Sequence, residues 1–142
     1  MKRTPALTPL SHDHHQALVV AQRLRRAQEF DGPAREFHHF WASQGRAHFA
    51  IEEEVLLPLW AALGNAELEH VERVAREHLA IRAAALDLEW AAADIDRLHR
   101  LGELLAAHVR YEERVLFPAI EADLDSAAIE RLAAAIAAAE NA

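Results

Sequence analysis

The chain has 142 residues, 52% of them hydrophobic, with no cysteine. That suits one packed domain over residues 1–142 and excludes disulfide scaffolding, iron–sulfur ligation and thiolate chemistry. Fifteen Lys and Arg against 23 Asp and Glu leave a net charge of -8, no apolar run approaches a bilayer span, and Met1-Lys2-Arg3-Thr4-Pro5 leads into no apolar signal stretch; nucleic acid and membrane are excluded as partners, and a cytoplasmic protein is expected.

Scarce Gly and Pro beside abundant Ala, Leu, Glu and Arg favour helices. Thr8-Pro9 reads as an N-cap with Pro at the first helical position. The helix it opens runs to about Phe30, with Leu10, His14, Ala17, Leu18, Ala21 and Leu24 on one face. Asp31-Gly32-Pro33 is the strongest breaker in the chain. A second helix follows from about Ala34 to Leu63. Its inner face carries Phe37, Trp41, Gln44, His48, Glu52 and Val55, and Pro58 is expected to bend or weaken its last turns. After Gly64-Asn65 a third helix spans about Ala66 to Ala92, with Val71, Val74, His78, Ile81, Ala85 and Leu88 inward. A fourth runs from about Asp94 to Asp123, with Leu98, Leu101, Leu105, His108, Glu112 and Val115 inward. Asp125-Ser126 caps a short fifth helix, residues 126–140.

The third turn contains no Gly or Pro, so its place comes from geometry. If His14, His48, His78 and His108 lie level in a bundle, each turn falls midway between successive histidines. The first two midpoints are residues 31 and 63, where Asp31-Gly32 and Gly64-Asn65 stand. The third is residue 93, which sets the turn at Ala93-Asp94. Long helices with short turns predict an all-α, up-down-up-down antiparallel four-helix bundle, core about residues 8–122, with the short fifth helix at its C-terminus.

His48-Phe-Ala-Ile-Glu52-Glu53-Glu54-Val55-Leu56-Leu57-Pro58 recurs sixty residues later as His108-Val-Arg-Tyr-Glu112-Glu113-Arg-Val115-Leu116-Phe117-Pro118. Asp13-His14 and Glu77-His78 precede the two copies by 34 and 30 residues. Residues four apart on a helix lie only about 40° apart around it. His48 with Glu52, and His108 with Glu112, therefore reach one central point, while Glu53 and Glu113 turn off it. Imidazole with carboxylate suits iron, manganese or zinc. Four His and two Glu exceed one tetrahedral site and match two cations bridged by carboxylates. Two ionised carboxylates facing each other in an apolar core carry a penalty that cations remove. The candidate metal residues are His14, His48, Glu52, His78, His108 and Glu112, with Asp13 and Glu77 placed to orient neighbouring groups. Aliphatic neighbours are expected to keep the pocket dry.

These residues resemble the hemerythrin-like, or HHE cation-binding, domains. The resemblance rests on His14 within Leu10-Ser-His-Asp13-His14-His15, on His48-Phe-x-x-Glu52-Glu53 with Leu57-Pro58, on Glu77-His78, and on His108-x-x-x-Glu112-Glu113 with Leu116-Phe117-Pro118. It spans about residues 8 to 122. It implies a four-helix bundle holding a non-haem di-iron centre that binds dioxygen, or serves oxygen, nitric oxide or iron sensing and storage. The oxygen-carrying members have a further His one turn from the third-helix ligand, where this chain has Val74 and Arg82. They also use a carboxylate at the position of Glu113. This chain resembles the variety with four His and two Glu. Two further readings stand beside a dimetal protein for dioxygen or a related small molecule: a di-iron enzyme acting on peroxide, oxygen or ferrous iron, and a metal-free helical interaction module.

Of the other histidines, His12 and His15 read as outer neighbours of the site or surface, and His38, His39, His70 and His99 as solvated. Glu36/His39 and Glu67/His70 match the Glu-x-x-His spacing of ferritin-like bundles without mutual similarity in their flanks. Trp41, Trp60, Trp90 and the Phe residues read as core or interface rather than cofactor contacts. Tyr111, beside Glu112, reads as a hydrogen-bond donor near the site or as a surface residue.

Overall fold

The computed structural model describes residues 2–142 and contains only helices among them. Four long helices form the bundle: α1 (Thr8–Arg25), α2 (residues 31–63), α3 (Leu68–Trp90) and α4 (residues 95–123). A fifth, α5 (Ser126–Glu140), packs across one end. Short connections make sequence neighbours antiparallel. No described helix is long and apolar enough to cross a membrane.

The ends of the helices depart from expectation in instructive ways. Thr8 does not cap α1: its hydroxyl donates to the Thr4 carbonyl across a turn, and Thr8 is already helical. Asp31-Gly32-Pro33 is not the break. It forms the first turn of α2, where a proline ring is tolerated; α1 stops earlier, at Arg25. The third turn lies where the midpoint rule puts it, and the Asp94 side chain caps α4 by accepting from the Asp96 amide at 2.9 Å. Asp125 caps α5 from the Ala128 amide at 2.9 Å.

Three π-turns interrupt otherwise continuous helices: Trp41–Gly45 and Glu52–Leu56 in α2, and Glu112–Leu116 in α4. Two of them lead into the prolines. The Leu57 amide reaches back to Glu52, and the Phe117 amide to Glu112, one residue beyond the α-helical partner. The wider turn takes up the backbone adjustment that a proline needs, so both helices pass Pro58 and Pro118 intact. Each extra residue also rotates the next stretch of helix about its axis. Gln44 and Val115, expected inside, are exposed. Leu18 is exposed as well, and Val20 is buried on that face of α1 instead.

The apolar interior divides at the level of the four histidines. One cluster joins Ala17, Ala21, Phe37, Ile81, Leu101 and Leu105. The other joins Leu10, Leu56, Trp60, Val74, Leu116 and Phe117, and α5 seals it with the fully buried Leu132 and Ile136. At that end Asp123 ties α4 to α2, its Oδ2 accepting from Trp60 Nε1 and the Asn65 amide, both at 2.7 Å.

Candidate metal centre

Between the two clusters lie six buried polar side chains, and they are the six singled out by the repeat: His14, His48, Glu52, His78, His108 and Glu112. Each of the four bundle helices contributes one histidine. Glu52 and Glu112 stand at the first position of a π-turn, four residues after His48 and His108. Both glutamates are wholly buried.

The six form two overlapping sets. Nε2 of His14 and Nε2 of His48 are 3.2 Å apart, with Glu112 Oε1 2.9 Å from the first and Glu52 Oε2 3.1 Å from the second. Nε2 of His78 and Nε2 of His108 are 3.1 Å apart, with Glu52 Oε1 3.1 Å from the first and Glu112 Oε2 3.3 Å from the second. Each glutamate thus turns one oxygen to each histidine pair. Each set offers four donor atoms, all within 4.8 Å of one another, which could hold a metal ion.

Several details fit cations better than a purely protonic network. Within each pair two imidazole nitrogens face each other, and only one of them can carry a proton toward the other. Glu52 Oε2 and Glu112 Oε2 are buried without a hydrogen-bond partner, a state that ordinarily costs about 1–3 kcal/mol or more for a charged group. Two nitrogens each about 2.1 Å from one ion and 3.1–3.2 Å apart subtend an angle of about 95–100°, within the range of common coordination geometries.

The outer nitrogens are equally constrained. Nδ1 of His14 meets Glu113 Oε2 at 2.6 Å, Nδ1 of His48 meets Asp13 Oδ2 at 3.1 Å, Nδ1 of His78 meets Glu53 Oε2 at 2.6 Å, and Nδ1 of His108 meets Glu77 Oε1 at 2.8 Å. An ionised carboxylate only accepts, so Nδ1 is the N–H and the Nε2 lone pair faces the centre. Asp13 and Glu77 were expected to orient neighbours. The parallel role of Glu53 and Glu113 was missed. Its signal was the second Glu of each His-x-x-x-Glu-Glu motif, which points off the centre but toward the histidine of the adjacent helix. Arginines hold three of the four carboxylates: Arg3 on Glu113, Arg82 on Glu53 and Arg73 on Glu77. Glu113 also accepts from the Ser11 hydroxyl at 2.7 Å. The positions of Val74 and Arg82 fit this arrangement: one is core, and the other supports Glu53.

The electrostatics describe a centre that pairs internally when it holds protons. Burial opposes charge on His14, His48 and His108, but neighbouring carboxylates overcome it and raise all three, His108 to about 10. Burial would raise Glu112, yet the imidazoles of His108, His14 and His48 bring it well below the usual carboxylate range. Glu53, Glu77 and Glu113 are lowered against burial by their histidine and arginine partners.

The walls are more aromatic than expected. Phe49 stacks on His78 at 3.8 Å between ring centroids, and Phe117 lies parallel to His14 at 5.4 Å. Beside His14, His48 and His108 is a cavity of about 20 Å³, walled by Ala17, Phe40, Trp41, Gly45, Leu105 and Val109. That is room for about one water-sized molecule.

The remaining histidines lie apart. His12, His15 and His39 are exposed and His38 is half-buried. His70, expected to be solvated, is half-buried, its Nδ1 2.6 Å from the Tyr111 hydroxyl and its ring stacked on Trp60. His99, likewise expected in solvent, is half-buried and donates to the Ala27 carbonyl at 2.9 Å. Glu36, His39 and Glu67 are all exposed, so the Glu-x-x-His spacings assemble no buried site. Tyr111 is buried, contacts His70 rather than the centre, and lies under Arg73.

A helical bundle with a buried His/Glu cluster of this kind defines a metal-binding protein. The chain belongs to the hemerythrin HHE cation-binding domain family, whose model matches residues 6–120. Comparisons with curated proteins and with solved structures found no match. The family match ends at residue 120, before α5 begins.

Proposed function

We propose that the protein holds two metal ions, iron before zinc or manganese, and binds or senses dioxygen or a related small molecule at them. His14 and His48 would hold one ion and His78 and His108 the other, with Glu52 and Glu112 each offering one oxygen to each ion. The observation that carries this reading is the division of each glutamate's two oxygens between the two histidine pairs. Bound there, a di-iron pair would supply redox chemistry. The chain's own residues do the rest. Glu113, Asp13, Glu53 and Glu77 fix the imidazole tautomers, Phe49 and Phe117 exclude water, and the cavity beside His48 leaves room for about one water-sized molecule next to the ligands. The cytoplasm is the compartment proposed for this activity.

Metal analysis of protein expressed in iron-replete medium tests the proposal. About two irons per chain are expected, falling to one or fewer in His48→Ala. Clearly less than one iron per chain in the parent, unchanged by that substitution, overturns it. A second reading, reduction of peroxide or oxygen or oxidation of ferrous iron, is favoured by the donor set of imidazoles and carboxylates, four to each group, which suits redox-active iron. Turnover of peroxide by the iron-loaded protein separates it from simple binding. A metal-free interaction module predicts thermal stability indifferent to chelator.

A further inference from the structure

Helix α3 is apolar on two sides, and its own bundle covers only one. Val74, His78, Ile81, Ala85 and Leu88 face inward. On the opposite side Leu68, Ala75, Leu79, Ala83, Leu86 and Trp90 are all exposed, Leu79 by 69% and Trp90 by 77%. With Glu72 they recur at intervals of four, three, four, four, three and four residues. This is an eleven-residue period, in which Leu68, Leu79 and Trp90 are equivalent. At 100° per residue such a set stays within about 40° of one straight line along the helix. A helix apolar on both sides is ordinarily buried on both. Leu86 stands between two grooves, one lined by Ala83, Ala84, Trp90 and Leu104, the other by Trp41, Arg82 and Glu89.

We propose that this ridge is the interface of a two-fold dimer, α3 packing antiparallel on α3 of a second copy of this chain. The pattern is complementary to itself. A two-fold axis between residues 82 and 83 sets Leu79 against Leu86 of the second copy and Trp90 against Ala75, so a large residue meets a small one at each outer contact. On one flank Arg76 comes within about 3 Å of level with Asp87 of the second copy. Arg76 is exposed and forms no ion pair among the described residues, Asp87 already pairs through Oδ2 with Arg97 of its own chain and would share its carboxylate, and the symmetry makes the contact twice. Arg82 meets its counterpart near the axis, but each is engaged by Glu53 of its own chain at 3.0 Å. About that axis the two ridges overlap from Ala75 to Trp90, roughly 24 Å, and Leu68 falls outside the contact. The ridge offers contiguous apolar surface on the order of a few hundred Å², the size of patch that marks an interaction site.

The test is the mass of the intact protein in solution at tens of micromolar concentration, by light scattering and sedimentation. Twice the chain mass is expected. Leu79→Glu and Trp90→Ala alter exposed side chains, so both should give monomers with unchanged helix content. The chain has no cysteine, which allows a direct check of geometry. Ala83→Cys, beside the axis, should cross-link to its counterpart under mild oxidation, and Leu68→Cys, at the far end, should not. A monomer overturns the proposal and leaves the ridge to a different chain. A dimer that survives Leu79→Glu overturns it by placing the interface elsewhere. Efficient cross-linking through Leu68→Cys overturns the antiparallel arrangement.

Discussion

Each histidine of the centre is held at both nitrogens, one by a carboxylate at the bundle's flank and the other by the cluster itself. A ring fixed in this way presents one tautomer and one direction, and removing such a support typically lowers metal affinity about 10–100-fold. Glu53→Ala is therefore expected to weaken binding by that order, as measured by competition with a chromophoric chelator. It should leave helix content intact, because Glu53 lies at the surface. An unchanged affinity would mean that packing against Phe49 alone orients His78. Gly45 tests the cavity rather than the ligands. A Cβ there would come within 2.7 Å of the Trp41 ring and 2.9 Å of the Phe40 ring, driving the walls inward. Gly45→Ala should leave iron content unchanged and slow nitric oxide uptake by the iron-loaded protein severalfold in stopped-flow absorption. Equal uptake rates would place the entry path elsewhere.

Among the helices, α1 and α4 approach closely where Gly102 faces the backbone of α1. A Cβ at residue 102 would lie 2.7 Å from the Ala21 carbonyl oxygen and 2.9 Å from the Arg25 amide nitrogen. Backbone cannot step aside as a side chain can, so Gly102→Ala should cost about 1–3 kcal/mol in chemical denaturation. No loss would show that the two helices are free to slide apart. That contact was invisible in the sequence, where Gly102 is one helical residue among many. The histidine–glutamate set was legible for the opposite reason: i, i+4 spacing survives any detail of packing, and a duplicated motif announces itself. The midpoint rule located the third turn because antiparallel rods sharing one level must be of matched length. The π-turns were not legible. They add a residue without a distinctive side chain, and so Gln44 and Val115 were assigned to the interior by an angle that no longer applied. Pro58 and Pro118 were a signal for two of the three, since a proline that does not break a helix must be accommodated by a changed ladder before it; the turn at Trp41–Gly45 had none.

For the molecule as a whole, protons and cations compete for one centre. In the metal-free protein the raised pKa of His108, about 10 against an ordinary 6.5, contributes stability that is complete below 6.5 and is lost as pH rises toward 10. His14 and His48, also raised, act in the same direction. Glu112, held well below its ordinary 4.5, contributes stability present above that value and lost as pH falls through its depressed pKa. The metal-free protein should then be most stable between about pH 4.5 and 6.5 and should weaken toward alkali. The loaded protein behaves inversely, since metal binding requires the imidazole nitrogens bare and strengthens as protons leave. The difference in melting temperature between loaded and chelator-treated protein should accordingly widen from pH 6 to pH 9. At free metal a hundredfold above Kd the gain is about 2.7 kcal/mol per site, or roughly 6–10 °C for a chain of this length. Scanning calorimetry at three pH values measures it. A gap that stays flat with pH would mean that the ions, if bound, are not displacing the protons of these histidines.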